Sequence, residues 1–103
     1  MVLSAVEAKF HRRVQADLNK ILEKYFFISD ELGDDFFEEF MSGLRKAAEN
    51  PQFFHFDASG LRRCNLYRFP YHFLYDVRDS GVRIWVLRHD KQKPSFGMRR
   101  FKR

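Results

Sequence analysis

The spacing of apolar residues changes character at Pro51. Before Pro51, apolar residues recur every three or four positions over two long stretches, which is the period of a helix buried on one side. After Pro51 they fall in short aromatic and β-branched runs between turn residues, which is typical of strands. A chain of 103 residues fits one domain, so we predict a single α+β domain over residues 1–103 with separate helical and sheet layers.

Two amphipathic helices are predicted before Pro51, the first over Arg12–Phe27 and the second from about Ser29 to Glu49. Ser29 or Asp30 suits the N-cap of the second helix, and Asn50-Pro51 ends it. The short connection predicts an antiparallel helical hairpin. The apolar stripes consist of Val14, Leu18, Ile21, Leu22 and Tyr25 in the first helix and of Leu32, Phe36, Phe37, Phe40, Leu44, Ala47 and Ala48 in the second.

Strands are predicted on both sides of the hairpin. An N-terminal strand lies within Val2–His11, where apolar and polar residues alternate. We therefore expect the hairpin to cover one face of a three- to four-stranded antiparallel sheet, followed by a basic tail over residues 95–103 that forms a loop or a short docked segment. The later strands are predicted at Arg63–Leu66, Tyr71–Val77 and Val82–Arg88, with turns at Phe69-Pro70 and Asp79-Ser80-Gly81.

The formal net charge of +5 is unevenly distributed. Residues 1–50 carry seven Lys/Arg and ten Asp/Glu, whereas residues 51–103 carry twelve and four. The basic half predicts contact with a polyanion or an acidic partner, and a solubilising surface is the alternative. The candidate residues for binding a target or polyanion are Arg62, Arg63, Arg88, His89, Lys91 and Lys93.

Other classes of function find no support in the sequence. No stretch approaches the roughly 20 apolar residues of a membrane span, and the first residues lack the pattern of a secretory signal. Cys64 is the sole cysteine, so it makes neither an internal disulfide nor a cysteine-based zinc site. The four histidines are scattered, and we predict no metal site and no cofactor. We expect a cytoplasmic protein without a membrane partner.

Several short motifs occur in a fixed order, and together they span about residues 5–96. They are Ala16-Asp17-Leu18 leading to Tyr25, Leu32-Gly33-x-x-Phe36, Asn50-Pro51 leading to Phe53, Arg68-Phe69-Pro70-Tyr71-x-x-x-Tyr75, and His89-x-Lys91-x-x-Pro94. In this order and spacing the chain resembles the RelE/ParE superfamily of bacterial toxins. The resemblance implies a helical hairpin on an antiparallel sheet, and a growth-inhibiting toxin that a cognate antitoxin neutralises.

The two branches of that superfamily imply different targets. The RelE branch cleaves messenger RNA in the ribosome, and the ParE branch poisons DNA gyrase and is not a nuclease. Metal-free RNA cleavage needs a group that takes the proton of the 2′-hydroxyl, cations near the phosphate, and an acid for the leaving oxygen. The expected partners are therefore an antitoxin together with DNA gyrase or with the ribosome and its mRNA.

The resemblance also places the RelE roles on this chain. The basic strand positions fall on Arg63 and Asn65, the strand arginine on His72, and the basic residue after the last strand on Lys91, while the C-terminal tyrosine has no counterpart. Arg63, His72 and Lys91 are thus the catalytic candidates if the chain cleaves RNA, with His72 and His89 as substitutes for the missing acid and base. The lost positions favour a ParE-like or undetermined target. A RelE-like mRNA endonuclease and a non-toxic basic nucleic-acid-binding domain are the alternatives.

Overall fold

Two helices pack on one face of a four-stranded sheet in this computed structural model, which describes residues 8–78 and 81–101. The arrangement confirms the predicted α+β fold. The parts of the predictions that concern residues 2–7, 79–80 and 102–103 lie outside the described residues. In chain order the elements are β1 (Ala8–Phe10), α1 (Arg12–Ile28), α2 (Asp30–Glu49), β2 (Arg62–Asn65), β3 (Tyr71–Arg78), β4 (Gly81–His89) and a 3₁₀ helix (Met98–Arg100).

The helical hairpin forms where the apolar period predicts it. Ser29 ends α1 and caps α2, because its hydroxyl accepts a hydrogen bond of 3.0 Å from the backbone N–H of Leu32. The ring of Phe26 lies directly on Gly33, where any side chain would collide with it. Phe37 departs from the prediction, since it is 43% exposed at the edge of the stripe. The stripe residues that are buried are Val14, Leu18, Ile21, Phe36, Phe40, Leu44 and Ala47.

The strands lie in the order β1-β4-β3-β2. The pairs β2–β3 and β3–β4 are antiparallel, as predicted, whereas β1 joins the edge of β4 in parallel. The parallel pair continues into α1, because the backbone N–H of His11 donates to the carbonyl of Ile84 at 2.8 Å. The sheet is therefore mixed but mostly antiparallel, and the first turn of α1 lies beside β4.

A bulge in β4 breaks the alternation of its side chains. Leu74 pairs with Val86 and Tyr75 pairs with Ile84, so Trp85 has no partner on β3. Trp85 and Val86 consequently both contribute to the face away from the helices. Ile84 and Leu87 pack on the opposite face, against the helices. We call the face opposite the helices the far face.

The two faces hold separate cores. The helix-facing core is large and aromatic and includes Phe36, Phe40, Phe73 and Tyr75, all fully buried. The far-face core is small, and its buried residues are Leu61, Leu74, Trp85 and Val86. Met98 and Phe101 of the C-terminal segment cover this second core. The segment 95–101 is thus docked on the sheet along its described length.

Candidate functional site

Three of the predicted residues come together on the far face. Arg63 and Asn65 are two positions apart on β2, so their side chains share a face. Asn65 pairs with His72 of β3, and His72 pairs with Arg88 of β4, which places all these side chains on the same side of the sheet. The structure thereby brings Arg63, His72 and Arg88 into one cluster.

The His72 imidazole is buried and bonded through both nitrogens. Its Nδ1 lies 2.8 Å from Oδ1 of Asp90, and its Nε2 lies 2.9 Å from Nε of Arg88. A guanidinium only donates, so Nε2 accepts and Nδ1–H donates to the carboxylate, which makes His72 neutral. Burial lowers the pKa of His72; the bond to Asp90 opposes this shift, and Arg63 and Arg88 reinforce it. With 1% exposure, the ring is out of reach of a substrate.

The two arginines of this cluster are also engaged. Arg88 is 3% exposed and donates to the carbonyls of Pro94 and Phe96 at 2.8 and 3.0 Å, which ties the C-terminal segment to β4. Arg63 pairs with Asp57 at 3.3 Å and with Asp90 at 3.6 Å. The positive charge on this part of the far face is therefore balanced by carboxylates within the molecule.

The remaining predicted residues lie elsewhere. Arg62 points to the other side of β2 from Arg63, where it donates to the carbonyl of Phe54 at 2.7 Å and stacks on Phe56 at 4.1 Å. His89 ends β4, and its Nδ1 accepts a 3.0 Å hydrogen bond from the backbone N–H of Lys91. The side chains of Lys91 and Lys93 are exposed in the turn that follows. Lys91 thus adjoins the far-face cluster through its chain neighbour Asp90.

A basic groove that the sequence analysis did not identify lies beside Trp85, in the middle of β4. Its volume is about 1110 Å³, and it runs between the start of α1 and the C-terminal segment. Arg12, Arg13 and Arg99 are exposed in it. We call it the arginine groove, and its lining residues are His11, Arg12, Arg13, Trp85, Ser95, Phe96, Gly97, Met98, Arg99 and Arg100.

Arg100 fixes the wall of the arginine groove. Its guanidinium bonds both carboxylate oxygens of Asp17 on α1, at 2.6 and 3.2 Å, and the carbonyl of Trp85 at 3.2 Å. Gly97 adopts φ +81°, and a side chain there would collide with Val86. These two contacts hold the C-terminal segment against α1 and β4, and so they place Arg99 opposite Arg12 and Arg13.

The positive charge of the groove acts on His11, one of its lining residues. His11 caps α1, because its Nδ1 accepts from the backbone N–H of Arg13 at 3.1 Å. Burial lowers the pKa of His11, and Arg100, Arg12, Arg13 and Arg83 lower it further. The first turn of α1 contains no acidic residue, although acidic residues are favoured there. The sequence shows two arginines at the start of α1 and a basic C-terminus. It does not show that these two segments lie next to each other in the fold.

Other kinds of site are not formed by the described part of the chain. Within residues 8–78 and 81–101, no three His, Cys, Asp or Glu side chains cluster in a way that would hold a metal ion. No helix in these ranges combines the length and the apolar character needed to cross a bilayer. Burial raises the pKa of the Cys64 thiol to about 12, which makes it a poor nucleophile.

Comparisons with known proteins bear on the fold. No protein-family model matches the chain, and no curated protein matches its sequence. Among solved structures, one chain of "Chromosomal ParDE TA system from P. aeruginosa" superimposes with a TM-score of 0.69 and 18% sequence identity. The match covers 82% of this chain and 95% of that chain. The chain therefore shares its fold with a chain of that ParDE TA structure, in agreement with the α+β fold that its motifs predicted.

Proposed function

We propose that this chain is the toxin of a type II toxin–antitoxin pair that acts in the cytoplasm on a protein target such as DNA gyrase. A cognate antitoxin neutralises it. The fold shared with a chain of a ParDE toxin–antitoxin structure supports this proposal, and so does the order of the motifs from Ala16 to Pro94. The basic second half of the chain suits an acidic antitoxin segment that folds on the toxin surface.

The observation that carries a binding mechanism rather than RNA cleavage is the bonding of His72. A general base or acid must reach the proton that it transfers. Both nitrogens of His72 are occupied by Asp90 and Arg88, and the ring is buried. Arg63 is held by two carboxylates. Two of the three predicted catalytic groups, Arg63 and His72, are thus engaged in an internal network, which favours a binding mechanism.

The exposed cations beside this network form the proposed contact with the target. Lys91 and Lys93 lie in the turn after β4 and are open to solvent. Charged side chains at such a rim increase the rate of encounter with an acidic surface. We expect K91A/K93A to weaken target inhibition several-fold, while K20A/K24A, which removes the same charge from exposed positions of α1, leaves it unchanged.

The test begins with inducible expression in a bacterial host, alone and together with a neighbouring acidic open reading frame. Growth arrest that the second gene relieves supports a toxin, and undisturbed growth rejects the proposal. Purified chain is then added to a gyrase supercoiling and DNA-cleavage assay, and transcripts from arrested cells are mapped. Intact transcripts together with gyrase inhibition are expected. Codon-spaced cuts in mRNA contradict the binding mechanism.

RNA cleavage is the second candidate function because one pair of predicted groups remains near the surface. At the end of β4, the Nδ1 atom of His89 accepts a hydrogen bond from the backbone N–H of Lys91. The side chain of Lys91 is exposed. If the mapped transcripts are cut, H89A and K91A should each reduce cleavage strongly. Unchanged cleavage in both variants eliminates this pair as the acid and base.

A further inference from the structure

We infer that the arginine groove binds the phosphodiester backbone of nucleic acid without regard to sequence. The groove is separate from the far-face cluster and from the turn with Lys91 that the proposed function uses. The inference stands whether or not the chain is a toxin, because it rests on the charges and shape of the groove alone.

The groove gathers three arginine side chains that no carboxylate in the described part of the chain pairs with. Arg12 and Arg13 come from one wall and Arg99 from the other, and none of the lining residues that the structure describes is acidic. Within residues 8–78 and 81–101, none of these three guanidinium groups has an ion-pair partner, whereas Arg63 and Arg100 do. Like charges held together in one concavity repel each other, and a bound polyanion relieves that repulsion.

The surface of the groove suits a phosphate backbone better than an acidic protein segment. Protein segments bind mainly through apolar or aromatic anchors that enter pockets. Trp85 offers no such pocket, since it is 7% exposed and its Nε1 donates to Asp76 at 2.9 Å. The guanidinium fork matches phosphate geometry, and several forks spaced along a groove match a repeating phosphate chain.

The size of the groove and its exposed aromatic ring also fit a nucleic-acid strand. Pockets for single small ligands have volumes of roughly 300–1,000 Å³. This groove is open and has a volume of about 1110 Å³, so it fits a segment of an extended nucleic-acid strand better. Phe96 is 37% exposed on its wall and offers a ring on which one base can stack, an interaction that tolerates any base. Backbone contacts with one stacking face give affinity with little sequence preference.

The experiment measures binding of the full chain to a fluorescent 20-nucleotide RNA and to a DNA duplex, by anisotropy over a range of salt concentrations. The logarithm of affinity should fall linearly with the logarithm of salt. For the single-stranded RNA, R12Q/R13Q/R99Q should reduce the magnitude of this slope by about two. Each lost phosphate contact reduces the magnitude of the slope by roughly 0.7. Affinity at low salt should fall at least tenfold.

A control variant separates the groove from net charge. K20Q/R45Q/K46Q removes three exposed cations from the helices and has the same net charge as the groove variant. It should bind within about twofold of the wild type. R12K/R13K/R99K keeps the charge without the guanidinium fork, so its salt dependence should stay near that of the wild type while its affinity drops several-fold.

Three outcomes overturn the inference. Equal losses in the groove variant and the control mean that binding follows net charge and not the groove. Undetectable binding of both nucleic acids at low salt rejects it directly. A polyglutamate peptide that binds more tightly than the RNA, and loses this binding in R12Q/R13Q/R99Q, shows that the groove takes an acidic protein segment. Circular dichroism of each variant confirms that the fold is retained.

Discussion

The two faces of the sheet are stabilised by different interactions. On the helix side, Phe36 contacts the rings of Tyr25, Phe69 and Tyr71 at centroid distances of 5.1–5.5 Å, inside a core of apolar side chains. On the far face, four buried apolar residues lie beside a network of charged and polar groups that reaches from Asp57 to Phe96. One short C-terminal segment covers that second core.

This difference separates stability from function. Apolar packing on the helix side depends little on pH and salt, and it sets the stability of the domain. The far face depends on protonation, on ion pairs and on the docking of residues 95–101. Binding surfaces tend to occupy such less stable regions, and here both candidate surfaces lie around the far face. Substitutions on each side of the sheet test this contrast.

Truncating the helix-side core should destabilise the domain most. Phe36→Ala removes a fully buried ring, and such a change reduces the free energy of unfolding by about 3–5 kcal/mol. Phe37→Ala, one position away and 43% exposed, should lower it by less than about 1 kcal/mol. Urea denaturation followed by circular dichroism measures both. Similar losses for the two variants would contradict the described helix packing.

Breaking the ion pair that holds the C-terminal segment should come next. Arg100→Met leaves the largely buried Asp17 carboxylate without its partner, and the expected loss is about 2–3 kcal/mol. The double variant D17N/R100M should be less destabilised than the sum of the single variants, by about 1–2 kcal/mol. A double-mutant cycle in urea provides the coupling energy. Additive effects would mean that the pair contributes nothing to docking.

Gly97→Ala should displace the segment by a different route. The positive φ disfavours any side chain by about 1–2 kcal/mol, and the new methyl would lie 2.7 Å from Cγ2 of Val86. The emission of Trp85, the single tryptophan, should shift to longer wavelength as water reaches the ring. Gly60→Ala is the control, because Gly60 also has a positive φ, of 92°, but lies outside the far-face core. An equal emission shift in the control would refute the docking role of Gly97.

The smallest predicted effect is a dependence of stability on pH. The pKa of His72 is lowered in the folded chain by burial, so below about pH 6.5 the unfolded chain binds the proton first. Stability should therefore fall as the pH drops from about 6.5 toward the folded pKa, by at most about 1.4 kcal/mol per pH unit for one group. His11 acts in the same direction, since burial also lowers its pKa.

Two glutamine variants isolate the contribution of His72. His72→Gln keeps an acceptor for Arg88 but cannot take up the proton, so its stability should change less between about pH 7.5 and pH 5.5 than that of the wild type. His55→Gln alters an exposed histidine and should keep the wild-type pH dependence. The midpoint of thermal unfolding at several pH values measures the difference. A steeper dependence in His72→Gln would reverse the assigned sign.

Much of the fold was predictable because its signals are local. Each of these signals is contained in one short segment of the chain. Examples are the apolar stripe through Phe36 and Phe40, the cap at Ser29 and the alternation in Tyr71–Val77. Those predictions are confirmed. The sheet differs where distant segments meet: β1 joins β4 in parallel, and the bulge at Leu74/Tyr75 places Trp85 and Val86 on one face.

The candidate site was predictable only in part. Arg63, His72 and Arg88 belong to one cluster, but Asp90 and the carbonyls of Pro94 and Phe96 engage them internally. Arg62 and Arg63 are neighbours in sequence and lie on opposite sides of β2, as alternation requires. The arginine groove was missed because its walls are more than eighty residues apart in the chain.

The amino-acid sequence alone specified which segments become helices and strands, and which side chains enter the helix-side core. It did so because apolar period, caps and turn residues act over short distances. Which charges neutralise each other and which stay exposed depends instead on how distant segments pack together. That packing depends on the bulge in β4, on the parallel pairing of β1 with β4 and on the ion pair of Arg100 with Asp17. The two pairings join residues that are far apart in sequence.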